Sequence, residues 1–220
     1  MPNVLITGAN RGLGLEFARQ YAHDGWHVIG TARHPEKAEA LHDVAHEVMA
    51  LDMADSKSIE AFAAGLERRP IDLLIANAGM YGPHTFDAAQ WAETLRVNTI
   101  APTELAIALK QHVLSGSLKT MVALSSQLGS IADNDSGGML AYRSSKAALN
   151  AAWKSLAIDW KEDGLTLVTV HPGWVQTDMG GANAPLTPEE SVTGLRKVIA
   201  GLGPDKSGRF FNYRGESLAW

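Results

Sequence analysis

Short β-branched runs alternate along this chain with longer stretches of helical periodicity, and that alternation constrains the fold more than any other feature. Strands are expected over residues 3–7, 27–32, 47–51, 71–76, 119–125, 165–171 and 208–212. Helices are expected over 12–24, 35–46, 56–68, 87–95, 96–115, 141–163 and 188–202. A strand that returns through a helix runs parallel to its predecessor, so the pattern predicts a mostly parallel sheet of about seven strands with helices on both faces. This is a doubly wound α/β fold of Rossmann type. Several helix ends carry their own punctuation. Gly25 and Gly164 follow helices, and Thr187, Pro188 and Glu190 spell a capping box with proline at the first helical position.

Nothing in the 220 residues marks an internal boundary: there is no Gly/Ser or Pro-rich linker, charge block, low-complexity tract or repeat. Residues 1–220 are therefore expected to form a single domain, and the 45% apolar content is enough for a core. A net charge of −5 argues against nucleic acid and anionic membrane surfaces as partners. The first apolar strand begins within three residues of Met1, which leaves no room for a charged region ahead of a signal core, so no signal peptide is expected, and no apolar run reaches membrane-spanning length. The absence of cysteine excludes disulfides, thiolate metal sites and a cysteine nucleophile, and it fits a cytoplasmic protein.

In a doubly wound sheet, ligands bind beyond the carboxyl ends of the strands. Those positions are Thr7 to Gly14, Ala32 and Arg33, Asp52, Asn77 to Gly79, Ser125 and Ser126, and His171 to Thr177. They are polar or glycine-rich and should converge in one cleft. The turn "TGANRGLG" places Gly8, Gly12 and Gly14 between a strand and a helix, where backbone amides can meet a pyrophosphate. The alternative is that the glycines serve close helix–strand packing. The spacing is G-x-x-x-G-x-G, and no lysine follows to make a P-loop. An NAD site usually carries an acidic residue at the end of the second strand. Here Arg33 stands there, and Arg11 lies within the turn. Two guanidinium groups suit a 2′-phosphate, so NADP(H) is favoured, with NAD(H) as the alternative.

"YRSSK" sets Tyr142 and Lys146 four residues apart, on one face of a helix. A tyrosine of ordinary pKa near 10 is a poor acid or base at neutral pH, and bringing it near 7 takes about 4 kcal/mol. A lysine ammonium about 4 Å away supplies roughly that amount, so the pair is expected to act as a general acid/base with a lowered tyrosine pKa.

With "NAG" at Asn77 to Gly79 and "SS" at Ser125 and Ser126 preceding the pair in order, the chain resembles the short-chain dehydrogenase/reductase family over essentially its full length. The family pattern T-G-x-x-x-G-x-G matches Thr7, Gly8, Gly12 and Gly14, and N-A-G matches Asn77, Ala78 and Gly79. The family's catalytic tetrad matches Asn98 in "VNTIAP", Ser126, Tyr142 and Lys146. The resemblance implies a cofactor site that also includes Asn10, Leu13, Asp52 and Met53 in "LDMAD", Tyr142, Lys146, and Val175 and Thr177 in "HPGWVQTDM". Sixteen positions separate Ser126 from Tyr142, more than the family usually has, with "ADNDSGG" as the insertion. That length, "GSIADNDSGG" and "YRSSKAALN" resemble the branch holding the C-factor and sniffer-type carbonyl reductases. Ser126 is preferred to Ser125 because it heads an S-x-x-G completed by Gly129.

The implied reaction is hydride transfer between nicotinamide and a carbonyl or alcohol. Tyr142 would move the proton, Lys146 would lower the tyrosine pKa and hold the ribose, Ser126 would orient the carbonyl, and Asn98 would hold a water. The rivals are an NAD-linked alcohol dehydrogenase and a nucleotide-binding regulatory protein with little turnover. Substrate-lining candidates are Met80, Tyr81, Leu128, Met139, Trp174 and Met179, an apolar set suited to aldehydes, ketones or quinones. No metal is expected: His42 and His46 fall four apart on the expected helix 35–46, but no third ligand accompanies them. Trp153 and Trp160 on helix 141–163 pack either within the domain or against a second subunit, and a homodimer is preferred.

Overall fold

The computed structural model describes residues 1–220. Its strands are β1 (Asn3–Ile6), β2 (His27–Ala32), β3 (Glu47–Ala50), β4 (Leu73–Ala76), β5 (Thr120–Leu124), β6 (Thr166–His171) and β7 (Phe210–Asn212). They form one sheet in the order β3-β2-β1-β4-β5-β6-β7, with every pairing parallel. Leu5 pairs with Ile29 on one side and with Leu74 on the other. The strand order therefore reverses at β1, and a ligand crevice opens where β1 and β4 part.

The helices are α1 (Gly12–His23), α2 (Glu39–His42), α3 (Ser56–Gly65), α4 (Ala88–Leu95), α5 (Ala101–Ala108), α6 (Lys110–Leu114), α7 (Leu140–Asp159) and α8 (Pro188–Ala200). Both sheet faces are covered, which explains why the strands read as continuous apolar runs. Leu5, Leu74 and Met121 share one core with Phe62 of α3, Leu105 of α5 and Trp153 of α7. Val4, Ile6 and Val122 share the other with Phe17 of α1, Leu41 of α2 and Leu195 of α8. The capping box forms: the Glu190 amide donates to Thr187 Oγ1, and the Thr187 amide donates back to the Glu190 carboxylate. Gly25 and Gly164 follow α1 and α7 with φ of +76° and +75°.

Two expected helices are interrupted. Residues 35–46 form a 3₁₀ turn at Pro35–Lys37 and a single helical turn, α2. The His46 amide donates to Val28 O and its Nδ1 accepts from the Val28 amide, so pairing with β2 claims the end of the segment. His42 instead turns toward Pro35 O, and the two histidines share no helix face. The expected helix 96–115 breaks at Leu109 into α5 and α6 and opens with a π turn at Arg96–Ile100. Pro102 cannot donate to the carbonyl of Asn98, and the Ala101 amide reaches back five residues to Arg96 O. Trp153 and Trp160 are both buried in their own core, so neither faces a second subunit.

Candidate active site

The glycine turn is built by close approach. A β-carbon on Gly14 would lie 2.3 Å from Gly8 O and 2.6 Å from Asn77 Nδ2, so α1 can start this close to β4 only with glycine there. Asn77 Nδ2 donates to Thr7 O and Gly8 O, and Thr7 Oγ1 accepts from the amides of Asn77 and Ala78. These bonds lock the ends of β1 and β4 together. Gly12 has φ +55°, and the amides of Gly12, Leu13 and Gly14 donate to nothing within the chain. Free amides at a helix start favour an anion. A cavity of about 440 Å³ opens beside Arg11, Gly12, Thr177 and Asp178.

Around this turn, Asn10 and Arg33 are exposed, and the Arg33 side chain has no partner in the chain. Arg11 pairs with Asp178, both largely solvent-exposed. Asp52 Oδ1 accepts from the Ala54 amide, and Met53 is buried in the core, leaving only its backbone for a ligand. Val175 is buried, and Thr177 carries its methyl against Gly12. Gly79 sits where a β-carbon would lie 3.2 Å from Asn98 Oδ1 and 3.6 Å from Lys146 Nζ. The set fits a dinucleotide: free amides at the turn, an unpaired guanidinium at the end of β2, and glycine surfaces leading to Lys146.

Helix α7 carries Tyr142 and Lys146, both buried. Lys146 Nζ donates to Leu124 O at 2.7 Å and lies 5.8 Å from the Tyr142 ring centroid. Ser126 caps the short turn Gln127–Gly129, its Oγ accepting from the Leu128 amide, and its hydroxyl is close enough to the Tyr142 phenol to pull that group's pKa down. Ser125 Oγ is buried without a partner. Asn98 is fully buried in the π turn. Its Oδ1 accepts from the Met80 amide at 2.8 Å, and its Nδ2 donates to Met80 O and Ser145 Oγ. The Asn98 side chain is therefore spent on structure. What it can offer a water is its main-chain carbonyl, which Pro102 leaves without a helical amide.

The expected lowering of the tyrosine pKa does not occur in this arrangement. Burial pushes Tyr142 up to about 12, with the Ser126 hydroxyl pulling the other way. Burial also pushes Lys146 down from 10.5 to about 8. Both groups lose water, and desolvation disfavours whichever form is charged, the phenolate and the ammonium alike. His171, at the end of β6, is driven down to about 4 by the same cause, and its Nδ1 has no partner.

Tyr81 stacks on Tyr142 at 5.1 Å, and its hydroxyl donates to Met139 Sδ. Of the expected substrate lining, Tyr81 and Met139 thus stand beside Tyr142, Met80 is bonded through its main chain to Asn98 and Leu128 through its main chain to Ser126 and Arg143, whereas Trp174 and Met179 stand exposed on the loop after β6. Trp174 Nε1 is tied to Gly180 O. Sequence reasoning overlooked Ser145, Arg143 and Asp178. Ser145 and Arg143 lie inside the "YRSSK" motif itself, and that adjacency was the available signal.

The family model described as short chain dehydrogenase matches residues 2–186. C-signal of Myxococcus xanthus is 42% identical over 166 residues, covering 74% of this chain and all of that protein. Among solved structures, the carbonyl reductase Sniffer of D. melanogaster superposes with a TM-score of 0.90 at 34% identity, covering all of both chains. The NADPH-bound carbonyl reductase from chicken fatty liver gives a TM-score of 0.90 at 33% identity, covering 100% of this chain and 99% of that one.

Proposed function

The chain belongs to the short-chain dehydrogenase/reductase family, an oxidoreductase group acting on C=O and CH–OH, and from that premise we propose that it is an NADP(H)-dependent carbonyl reductase. The observation that carries the reading is the meeting of Ser126, Tyr142 and Lys146 near Gly79, which follows Ala78, the residue packed against Gly8 of the glycine turn. A reduced nicotinamide, when bound, supplies the hydride. Tyr142, held near pKa 12, is a phenol at neutral pH and donates its proton to the carbonyl oxygen as negative charge gathers there. Ser126 donates a hydrogen bond to the same oxygen and fixes its orientation. Lys146 spends one N–H on Leu124 O and keeps two for ribose hydroxyls. The Asn98 carbonyl holds a water that returns the proton.

Arg33 supports NADP(H) over NAD(H), since an unpaired guanidinium at the end of β2 suits a 2′-phosphate and no carboxylate replaces it at that position. We take residues 1–220 as a single dinucleotide-binding domain. A cytoplasmic homodimer completes the proposal: Ile100, Ile107 and Ile158 are exposed on the outer side of the α5 and α7 layer. No helix is long and apolar enough to cross a membrane. Titration with NADPH and NADH by nicotinamide fluorescence, followed by a panel of aldehydes, ketones and quinones, tests the reading. Tighter NADPH binding with carbonyl-dependent oxidation is expected. Tighter NADH binding overturns the cofactor assignment, and binding without turnover on any carbonyl transfers the protein to a regulatory role.

A further inference from the structure

We propose that Arg143 is a positioning residue that holds residues 136–139 against the catalytic tyrosine and thereby sets the grip on the carbonyl substrate, an inference that rests on the reductase reading. Arg143 is only 9% exposed, yet it forms no ion pair. Its guanidinium donates to neutral oxygens alone: Nε to Gly137 O at 3.0 Å, one terminal nitrogen to Ser136 Oγ at 2.8 Å, and the other to Leu128 O at 3.5 Å. A buried guanidinium without a carboxylate is costly to desolvate, so its placement points to the segment it organises.

That segment ends on one strained residue. Gly137, Gly138 and Met139 are consecutive left-handed residues with φ of +64°, +72° and +47°, and Met139 has a β-carbon to accommodate. Non-glycine residues persist there only when their surroundings over-determine them, which is common at ligand clamps. The turn delivers Met139 Sδ to the Tyr81 hydroxyl, and Tyr81 stacks on Tyr142. A second tie acts from outside, where the Ala132 amide donates to Trp220 O at 2.9 Å and the Trp220 ring stacks on Phe210. Between these ties the stretch 131–138 is exposed, and its other hydrogen bonds are local: the Asp133 amide donates to Ser130 Oγ, the Asn134 amide to Ile131 O and the Gly137 amide to Asn134 Oδ1. Arg143 immediately follows Tyr142 on α7, and one helix therefore fixes both the proton donor and the wall facing it. A wall built before the substrate arrives lowers KM without entering the chemistry.

The test uses the full chain carrying Arg143→Met, Arg143→Lys or Ser136→Ala, the last removing one contact from an exposed hydroxyl. NADPH affinity, kcat and KM for 4-nitrobenzaldehyde, and amide exchange across residues 130–139 are measured for each. Arg143→Met should raise KM by about tenfold or more, the scale of a lost charge-assisted hydrogen bond. NADPH affinity should stay within about twofold and kcat within about threefold, with faster exchange at 136–139. Arg143→Lys, which keeps the charge without the fork, should fall between, and Ser136→Ala should raise KM by about threefold. The proposal is overturned if KM stays within twofold of wild type across the set, if NADPH affinity falls in step with KM, or if exchange at 136–139 does not change. Should Arg143→Met fail to fold, Ser136→Ala decides by the same criteria. A wild type that reduces no carbonyl removes the reductase reading and the KM claim with it, while exchange still decides whether Arg143 holds the segment.

Discussion

Replacing Lys146 by methionine should make the protein more stable while ending turnover. The ammonium is buried, and its one protein acceptor is Leu124 O. Burial pushes its pKa from 10.5 down to about 8, which sets the order of magnitude of the cost of keeping the charge in the folded state. At about 1.4 kcal/mol for each tenfold change in acidity, that cost is about 3 kcal/mol at pH 7. Methionine removes it and fills similar volume, but leaves Leu124 O without its donor, a loss of about 1–2 kcal/mol. The expected net gain is about 1–2 kcal/mol, or a Tm higher by about 5 °C for a chain of this size. The sign follows from proton linkage. A base whose folded pKa is depressed binds fewer protons folded than unfolded, so the cost is complete below about pH 8, declines as pH rises, and is gone above 10.5. The advantage of Lys146→Met should therefore be largest at pH 7 and shrink by pH 10. Urea unfolding of both proteins at pH 7, 9 and 10 measures it. A variant less stable than wild type at pH 7, or a difference that ignores pH, refutes the reasoning.

Tyr142→Phe should cut kcat by about 10³-fold while leaving NADPH affinity within about threefold, and a variant retaining a tenth of the wild-type rate removes Tyr142 from its role. With Tyr142 near 12 and Lys146 near 8, carbonyl reduction should run level from pH 6 to about 8 and fall above that as Lys146 loses its proton. The reverse oxidation, which needs the phenolate, should rise into the alkaline range. Steady-state rates in both directions check this, and a reduction rate that climbs from pH 8 to 10 contradicts it. Gly14→Ala brings a methyl within 2.3 Å of Gly8 O, a backbone oxygen held by Asn77 Nδ2, and should cost about 2 kcal/mol or more. An unchanged urea midpoint would show that the turn yields more easily than its hydrogen bonds suggest.

The alternation of strand and helix patterns, the capping box at Thr187 and the i, i+4 placement of Tyr142 and Lys146 were legible in the sequence because each depends on neighbours a few residues away. The parallel sheet followed from the same local rules, since a strand returning through a helix has one favoured direction and hand. Segment 35–46 reads as one helix because periodicity is local, whereas the claim of β2 on His46 is made from eighteen residues away. The spacing of Trp153 and Trp160 is compatible with a core and with a subunit interface, and only the packing of α7 on the sheet buries them both.

Chemistry at the site divides in the same way. Residue types and spacing determined which groups could exchange a proton and which turn could hold a phosphate. Tertiary structure decided their state: the Tyr142 phenol is pushed up and the Lys146 ammonium down because of what excludes water from them. It also decided that the Asn98 side chain is consumed by Met80 and Ser145, and that Arg143, a residue type usually found at the surface, lies buried against a loop. Desolvation and hydrogen-bond satisfaction depend on everything within a few ångströms, and most of that is brought there by chain distant in sequence.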